Sequence, residues 1–316
     1  MPDKLKYSVV VPLYNEEAVI EECYKRLKNA MDSCDGSYEL IFIDDGSKDK
    51  TSEIVCALAE GDNNLCVLRF SRNFGHQPAI TAGMDCARGD AVIVIDADLQ
   101  DPPEIIPIMI EQWKQGHEVV YGKRVARKGE SAFKKLSSKL FYRTLNAMTD
   151  VSLPVDVGDF RLLDRKVIDT LKAMPERNRY VRGLVSWVGF RQTAVEFVRE
   201  ERFAGETKYP LRKMLGLAVN AITSFSLKPL KISTWVGTAM SIGSFVFLIY
   251  VVVDRLFIRQ VMIQGWASTV AIMLFFNGIV LIILGIMGQY IGRIYDETKG
   301  RPYYIVSERI NYNDGE

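Results

Sequence analysis

Asp96 and Asp98 stand one residue apart, directly after the apolar run Ala91–Ile95. Carboxylates at i and i+2 beyond a strand, where the extended chain breaks, can both turn toward one ligand. Their hard oxygens suit Mg2+ or Mn2+, ions that keep waters and bridge substrate phosphates. A D-x-D pair alone is common, because turns are rich in Asp. The full string Asp96-Ala97-Asp98-Leu99-Gln100-Asp101-Pro102-Pro103-Glu104 is much rarer. Asp159 sits in Val157-Gly158-Asp159-Phe160-Arg161-Leu162, where the glycine lets backbone come close to a ligand and Phe160–Leu163 resumes an apolar strand. Between the two acidic sites, positions 123–143 hold eight basic side chains against the single acid Glu130. Phe133, Leu136 and Leu140 make the second half of that run amphipathic. It reads either as a solvated basic helix or as a surface for anionic headgroups or a phosphate substrate.

The elements that must position these groups alternate along the first 125 residues. Strands are predicted at Ser8–Val11 (stopped by Pro12), Glu39–Ile43, Leu65–Phe70, Ala91–Ile95 and Glu118–Tyr121. Helices are predicted at Glu16–Asp32, from about Thr51 with Asp49 as N-cap, near Gln77–Ala87, and at Pro103–Gln115. Val/Ile-rich strands separated by helices imply an α/β fold, a mainly parallel sheet covered on both faces. Ligands bind such sheets beyond the carboxyl ends of the strands. Those ends carry Tyr14-Asn15-Glu16, Asp44-Asp45, Arg72-Asn73 and Asp96-Ala97-Asp98, so the polar chemistry gathers on one edge.

Ile232–Val253 and Val261–Gly292 contain no charged residue. A spanning helix needs about 20 apolar residues, so two crossings fit. Arg212, Lys213, Lys228 and Lys231 precede the first run, and Arg293, Lys299 and Arg301 follow the second. By the positive-inside rule both termini and the large domain lie in the cytoplasm, with the spans in the cell membrane. The expected division is a catalytic domain at 1–209, an interfacial helix at 210–231, a transmembrane hairpin at 232–292 and a cytoplasmic tail at 293–316. A net charge of +1 gives no case for nucleic-acid binding. The five cysteines, all in the first 90 residues, form no C-x-x-C pair and read as reduced thiols. His76 and His117 have no Cys or His beside them to build a zinc site. Met1–Lys6 is polar and leads straight into a strand, so no signal peptide is expected.

Several motifs follow one another in the order and spacing of family-two GT-A glycosyltransferases, which the chain resembles. They are Val9-Val10-Val11-Pro12-Leu13-Tyr14-Asn15-Glu16-Glu17, Ile43-Asp44-Asp45-Gly46-Ser47, Arg72-Asn73-Phe74-Gly75 and the acidic string. Gly158-Asp159-Phe160-Arg161-Leu162-Leu163 and Gly205-Glu206-Thr207-Lys208-Tyr209 narrow the resemblance to the polyprenyl-phosphate branch, which includes dolichyl-phosphate mannose synthase and undecaprenyl-phosphate glucosyltransferases. The paired spans and Gln289-Tyr290-Ile291-Gly292-Arg293-Ile294-Tyr295 resemble the bacterial members.

The resemblance implies a GT-A nucleotide-sugar-binding domain and roles by position. Pro12, Tyr14, Glu16 and Asp45 would form the base and ribose pocket, with Asp44 either there or structural in its turn. Asp96 would face the sugar or diphosphate, with Asp98 and Gln100, and Asp96 beside them, as ligands of Mg2+ or Mn2+. Arg124 and Arg202 would grip phosphate, as an arginine fork does. Lys208 and Lys123 would meet the lipid phosphate, unless they are plain surface charges. Asp159 aligns with the acid proposed as catalytic base in this branch. A homo-oligomer, possibly a tetramer, is implied by analogy.

The expected reaction moves a hexose from a nucleoside diphosphate to a polyprenyl phosphate, with inversion. The diphosphate leaves with growing negative charge, which a metal and arginines stabilise. A phosphate acceptor, with a second pKa of about 6, is already ionised. A base therefore has little to do, and Asp159 could instead orient the acceptor through Arg124 or Lys208, hold a sugar hydroxyl, or simply bond Arg161 or backbone amides. A NAD-dependent dehydrogenase is excluded by the lack of G-x-G-x-x-G after the first strand. A non-catalytic scaffold fits poorly with an intact acidic string, and a processive synthase with the absence of Q-x-x-R-W. UDP-glucose is the expected donor, with GlcNAc, galactose, GDP-mannose and aminoarabinose donors left open.

Overall fold

A computed structural model describes residues 5–125, 157–174, 176–177, 179–198, 226–253 and 265–312. They divide into two compact units, one of residues 5–198 with 301–312, the other within 215–300.

In the first unit the apolar runs become strands β1 (Tyr7–Leu13), β2 (Tyr38–Asp44), β3 (Leu65–Phe70) and β4 (Ala91–Val94), followed by β5 (Val119–Arg124), β6 (Val157–Asp164), β7 (Gln192–Phe197) and β8 (Val306–Ile310). They form one eight-stranded sheet in the order β7-β5-β6-β4-β1-β2-β3-β8. The segment β4-β1-β2-β3 is parallel, as is β5 with β7. β6 runs antiparallel to both β4 and β5, and β8 antiparallel to β3. Helices α1 (Ile20–Asp32), α2 (Thr51–Gly61), α3 (His76–Cys86), α4 (Ile106–Lys114), α5 (Arg165–Lys172) and α6 (Val181–Trp187) connect the strands. The core lies where α1 and α4 meet the sheet: Leu27, Met31, Phe42, Ile93, Met109 and Phe160 are fully buried there.

Two boundaries differ from expectation for identifiable reasons. Pro12 does not stop β1, which runs on to Leu13 opposite Asp44. Val10 O accepts from Ile95 N, so Val10 and, two residues on, Pro12 face β4; β4 has ended by then, and no ladder bond is lost at the proline. α1 begins at Ile20 rather than Glu16, because the preceding residues bond elsewhere. Asn15 is left-handed (φ 54°), and the amides of Asn15 and Glu16 donate to Ser47 Oγ and Thr51 Oγ1. The expected tail is also corrected. Residues 301–312 belong to the sheet unit, which β8 borders.

The second unit contains α7 (Lys228–Val253) and α8 (Trp266–Thr298). Lys228–Tyr250 and Ile272–Thr298 are long and apolar enough to cross a membrane, with mean hydropathy 1.6 and 2.2. A core helix of a soluble protein would bury such residues. Here Phe247, Leu274, Leu281 and Ile282 are all at least 60% exposed, which suits lipid rather than water. α7 already includes Lys228–Lys231, given above to the interfacial helix. Residues 210–225 lie outside the described residues.

Candidate active site

β4 delivers the acidic string to the carboxyl edge of the sheet. After Ile95 the chain turns through Asp96, Ala97, Asp98 and Leu99, and Leu99 takes a left-handed backbone (φ 57°) that its buried side chain holds in place. The turn leaves Asp96, Asp98 and Gln100 partly exposed while Ala97 and Leu99 point into the core. Asp98 Oδ1 accepts from Gln100 N at 3.2 Å.

Asp101, 1% exposed, receives the guanidinium of Arg124 from β5, with three contacts of 3.1–3.2 Å. Gly158 leaves room for this fork. A Cβ there would lie 2.7 Å from Arg124 Nη2. The pair ties β5, β6 and the acidic turn together, so Arg124 reaches the site already neutralised on one side. Lys123 points the other way and pairs with Glu196 on β7 at 2.7 Å, among exposed side chains.

Asp159 lies at the start of β6, buried, with both oxygens engaged. Arg182 of α6 donates from Nε to Oδ1 at 2.8 Å and from Nη2 to Oδ2 at 3.0 Å. His76 Nε2, from the first turn of α3, is 3.2 Å from Oδ2 and also 3.5 Å from Asp96 Oδ1. Burial alone would raise the Asp159 carboxyl, but the charge of Arg182 and the bonds from His76 and Arg182 hold it well below the usual carboxylate range. Burial opposes a charged imidazole, yet the bond to Asp159 and the charges of Asp96 and Asp159 raise His76 to about 9. Asp96 is pushed up to about 6, chiefly by burial and by Asp159, Asp101 and Asp98, against the lowering effect of His76. Arg161, buried two residues along β6, donates to Gly158 O and leaves its Nε without a partner. Burial lowers it to about 10, partly offset by Asp159. Asp159 is thus held by one guanidinium and one imidazole ring, and Arg161, which bonds Gly158 O instead, is not its partner.

On the other flank, loops after β1, β2 and β3 are laced by side chains that accept backbone N–H groups. Asp45, 3% exposed, takes Phe74 N at 2.6 Å and Gly75 N at 2.9 Å. Asp44 Oδ1 takes Ser47 N at 2.9 Å. Both aspartates therefore shape turns. Gly46 (φ 66°) lets the loop after β2 touch the loop after β3, since a Cβ there would lie 2.6 Å from Arg72 C. Pro12 is buried in β1, while Tyr14 and Glu16 stand partly exposed just beyond it. Arg202, Lys208 and the basic run from 126 to 143 lie outside the described residues.

The sequence reading gave His76 and Arg182 no role at the site, and Asp101 none beyond its place in the acidic string. His76 carried a signal, as it follows Arg72-Asn73-Phe74-Gly75 directly; Arg182 stands in no motif. The site fits a divalent cation in one respect: Asp96 Oδ1 is buried without a hydrogen-bond partner, beside a second carboxylate and an amide. Among the described residues no three His, Cys, Asp or Glu side chains gather as a metal cage. Two carboxylates suit an ion whose other ligands are waters and substrate phosphates.

Residues 8–172, from β1 to the end of α5, match the family described as glycosyl transferase family 2. The uncharacterized glycosyltransferase YkcC of Bacillus subtilis (strain 168) is 57% identical over 98% of this chain and 95% of its own length. The prophage bactoprenol glucosyl transferase homolog of Escherichia coli (strain K12) is 42% identical over 96% of this chain and 98% of its own. The bactoprenol glucosyl transferase of Shigella phage SfII is also 42% identical, over 96% of this chain and 98% of its own.

Proposed function

The chain belongs to glycosyl transferase family 2, and from that premise we propose that it is a membrane enzyme moving glucose from UDP-glucose to undecaprenyl phosphate. The observation that carries this reading is the likeness to bactoprenol glucosyl transferases, which runs through the two apolar helices as well as the sheet. An acceptor phosphate oxygen attacks the anomeric carbon from the face opposite the diphosphate. The new C–O bond forms as the bond to UDP breaks, UDP takes the electron pair, and configuration inverts.

The acidic turn supports the donor end. Asp98 and Gln100 would hold Mg2+ or Mn2+, with Asp96 nearer the sugar; such an ion would supply positive charge to the leaving diphosphate. Tyr14, Glu16 and the Asp45-held turns would receive the nucleotide. Asp159 has both oxygens occupied and a depressed pKa, and the acceptor phosphate is already ionised. It therefore acts as a positioning residue, fixing Arg182 and His76 so that they face the anionic reactants. Arg202, Lys208 and the basic segment are assigned to the lipid phosphate on the resemblance alone.

β8 supports the membrane topology. A chain that leaves the sheet, crosses twice and then adds a strand to the same sheet must return to its starting side. With lysines and arginines at both flanks, that side is the cytoplasm.

Full-length protein in detergent, given undecaprenyl phosphate, Mg2+ and a panel of radiolabelled nucleotide sugars, tests the reading. Organic-soluble label is expected from UDP-glucose, with loss in EDTA and recovery on adding Mg2+ or Mn2+. Label from another donor alone would reassign the sugar, full turnover in EDTA would remove the metal, and no label from any donor would overturn the function.

A further inference from the structure

The segment after α8 does more than border the sheet. β8 contributes little to the core: Ser307, Glu308 and Arg309 are exposed, and only its ends are partly covered. Its contacts instead fall where the chain leaves β3 for the loop Ser71–Gly75. Val306 opposes Phe70, and Ile305 O accepts from Ser71 N at 3.0 Å. The Tyr304 ring stacks on Phe70 at 5.3 Å, with 12° between planes. Phe70 in turn meets Phe74 edge-on at 5.7 Å, and the Arg72 guanidinium sits 4.3 Å from the centre of the Phe74 ring. Phe74 and Gly75 are the residues whose amides Asp45 binds, and His76 comes next.

The same segment also holds the C-terminal end of α3. Tyr304 OH donates to Asp85 Oδ2 at 3.1 Å, and Tyr312 OH donates to Cys86 O at 3.1 Å. Tyr312 lies between the guanidiniums of Arg88 and Arg309, each 5.4 Å from its ring. Tyr303 faces Arg179, just ahead of the helix that carries Arg182.

We propose that residues 303–312 position the donor-binding loop, with Tyr304 the principal positioning residue: through Phe70 and Phe74 it sets the loop 71–75, and through Asp85 it fastens the last turn of the helix that follows that loop. The inference rests on the donor reading given above, in that loop 71–75 is taken to receive the nucleotide. A strand that merely blunts the edge of β3 would affect stability and leave substrate affinity alone. A positioning role moves affinity.

The test uses full-length protein in detergent, with Tyr304→Ala and Tyr304→Phe compared by UDP calorimetry, donor KM and kcat, thermal unfolding and amide exchange. For Tyr304→Ala the UDP dissociation constant and the donor KM are expected to rise about 3- to 10-fold, the scale of one lost aromatic pair. kcat is expected to stay within about 2-fold, since Asp85 lies at the far end of α3 and His76 keeps its own contacts with Asp159 and Asp96. Tyr304→Phe keeps the stack and loses only the bond to Asp85, and is expected to recover most of both affinities. A Tyr304→Ala protein with a lower melting temperature but wild-type KM and UDP affinity would overturn the proposal; should it not fold, Tyr304→Leu is judged by the same measurements. If wild type transfers no glucose yet binds UDP, the function fails while the brace is still read from UDP affinity. If wild type binds no UDP, faster amide exchange at Phe74 and Gly75 in Tyr304→Ala supports the brace, and unchanged exchange overturns it.

Discussion

The two flanks of the sheet edge are built by different means. Around β1, β2 and β3, loops are held by neutral or carboxylate side chains that accept backbone N–H groups: Asn15, Asp44, Asp45 and Asp49. Around β4, β5 and β6, buried carboxylates are held by guanidinium forks from distant elements, Asp101 by Arg124 and Asp159 by Arg182. A lost cap leaves an amide that water or a shifted turn can satisfy. A lost fork leaves a charge without its counterion in a low-dielectric site. The first flank is therefore tolerant and the second is not, although both look equally polar in sequence.

The largest expected effect tests the fork. Arg182→Met should destabilise the protein by about 3 kcal/mol, the low end for breaking a buried pair because Arg182 is partly exposed. Chemical denaturation measures it, and pairing the change with Asp159→Asn should recover part of the loss. A cost below about 1 kcal/mol would erase the distinction between the flanks.

Asp159→Asn comes next. Losing the charge that orients Arg182 and His76 should lower kcat by at least about 10²-fold, the low end for residues acting at the reacting centre. Donor binding should hardly change. If Asp159 positions, no acidic limb of the wild-type pH–rate profile is traceable to it; an acidic limb present in wild type and missing from the Asn variant would restore the base. Near-wild-type turnover would remove the residue from the site.

The smallest effect belongs to the tolerant flank. Asp49 Oδ1 accepts Thr51 N and Thr51 Oγ1, and Oδ2 accepts Glu17 N. Asp49→Ala should cost about 1 kcal/mol, the scale of lost capping bonds, although Lys50, not Asp49 as expected, takes the N-cap position of α2. Burial raises the Asp49 pKa, but those bonds outweigh it and the net shift is downward. A depressed carboxyl contributes stability above its unfolded pKa, about 3.9, and loses it as pH falls through the folded value. The gap between wild type and Asp49→Ala should thus be full at pH 6 and shrink below about pH 4. A gap that stays constant to pH 3 would assign the cost to packing rather than to the carboxylate.

The same contrast explains what the sequence disclosed. β1 to β4 were legible because strands buried on both faces read as unbroken apolar runs, such as Leu40–Ile43. β7 and β8 were not, since Gln192–Phe197 and Val306–Ile310 mix exposed and half-buried positions without a clean period. Asp96, Asp98 and Gln100 were legible because they are contiguous. The partners of Asp159 were hidden by distance along the chain: His76 lies 83 residues before it, and Arg182 lies 23 residues beyond it on another helix. Only tertiary packing sets such pairs. The two apolar helices needed composition alone, because nothing in them depends on a specific partner.

The border strand β8 also orders events during synthesis. Ser307 bonds Arg69 across 238 residues of chain, and both apolar helices lie between them. At about 5–20 residues per second, β3 waits on the order of ten to fifty seconds after leaving the ribosome before its neighbour exists. Through that interval its outer backbone groups are an open template for any strand nearby. The sheet is completed only once both apolar helices have been made, so a nascent chain delayed there keeps an adhesive edge, and the loop Ser71–Gly75 beside it lacks the contacts of Tyr304 and Ile305.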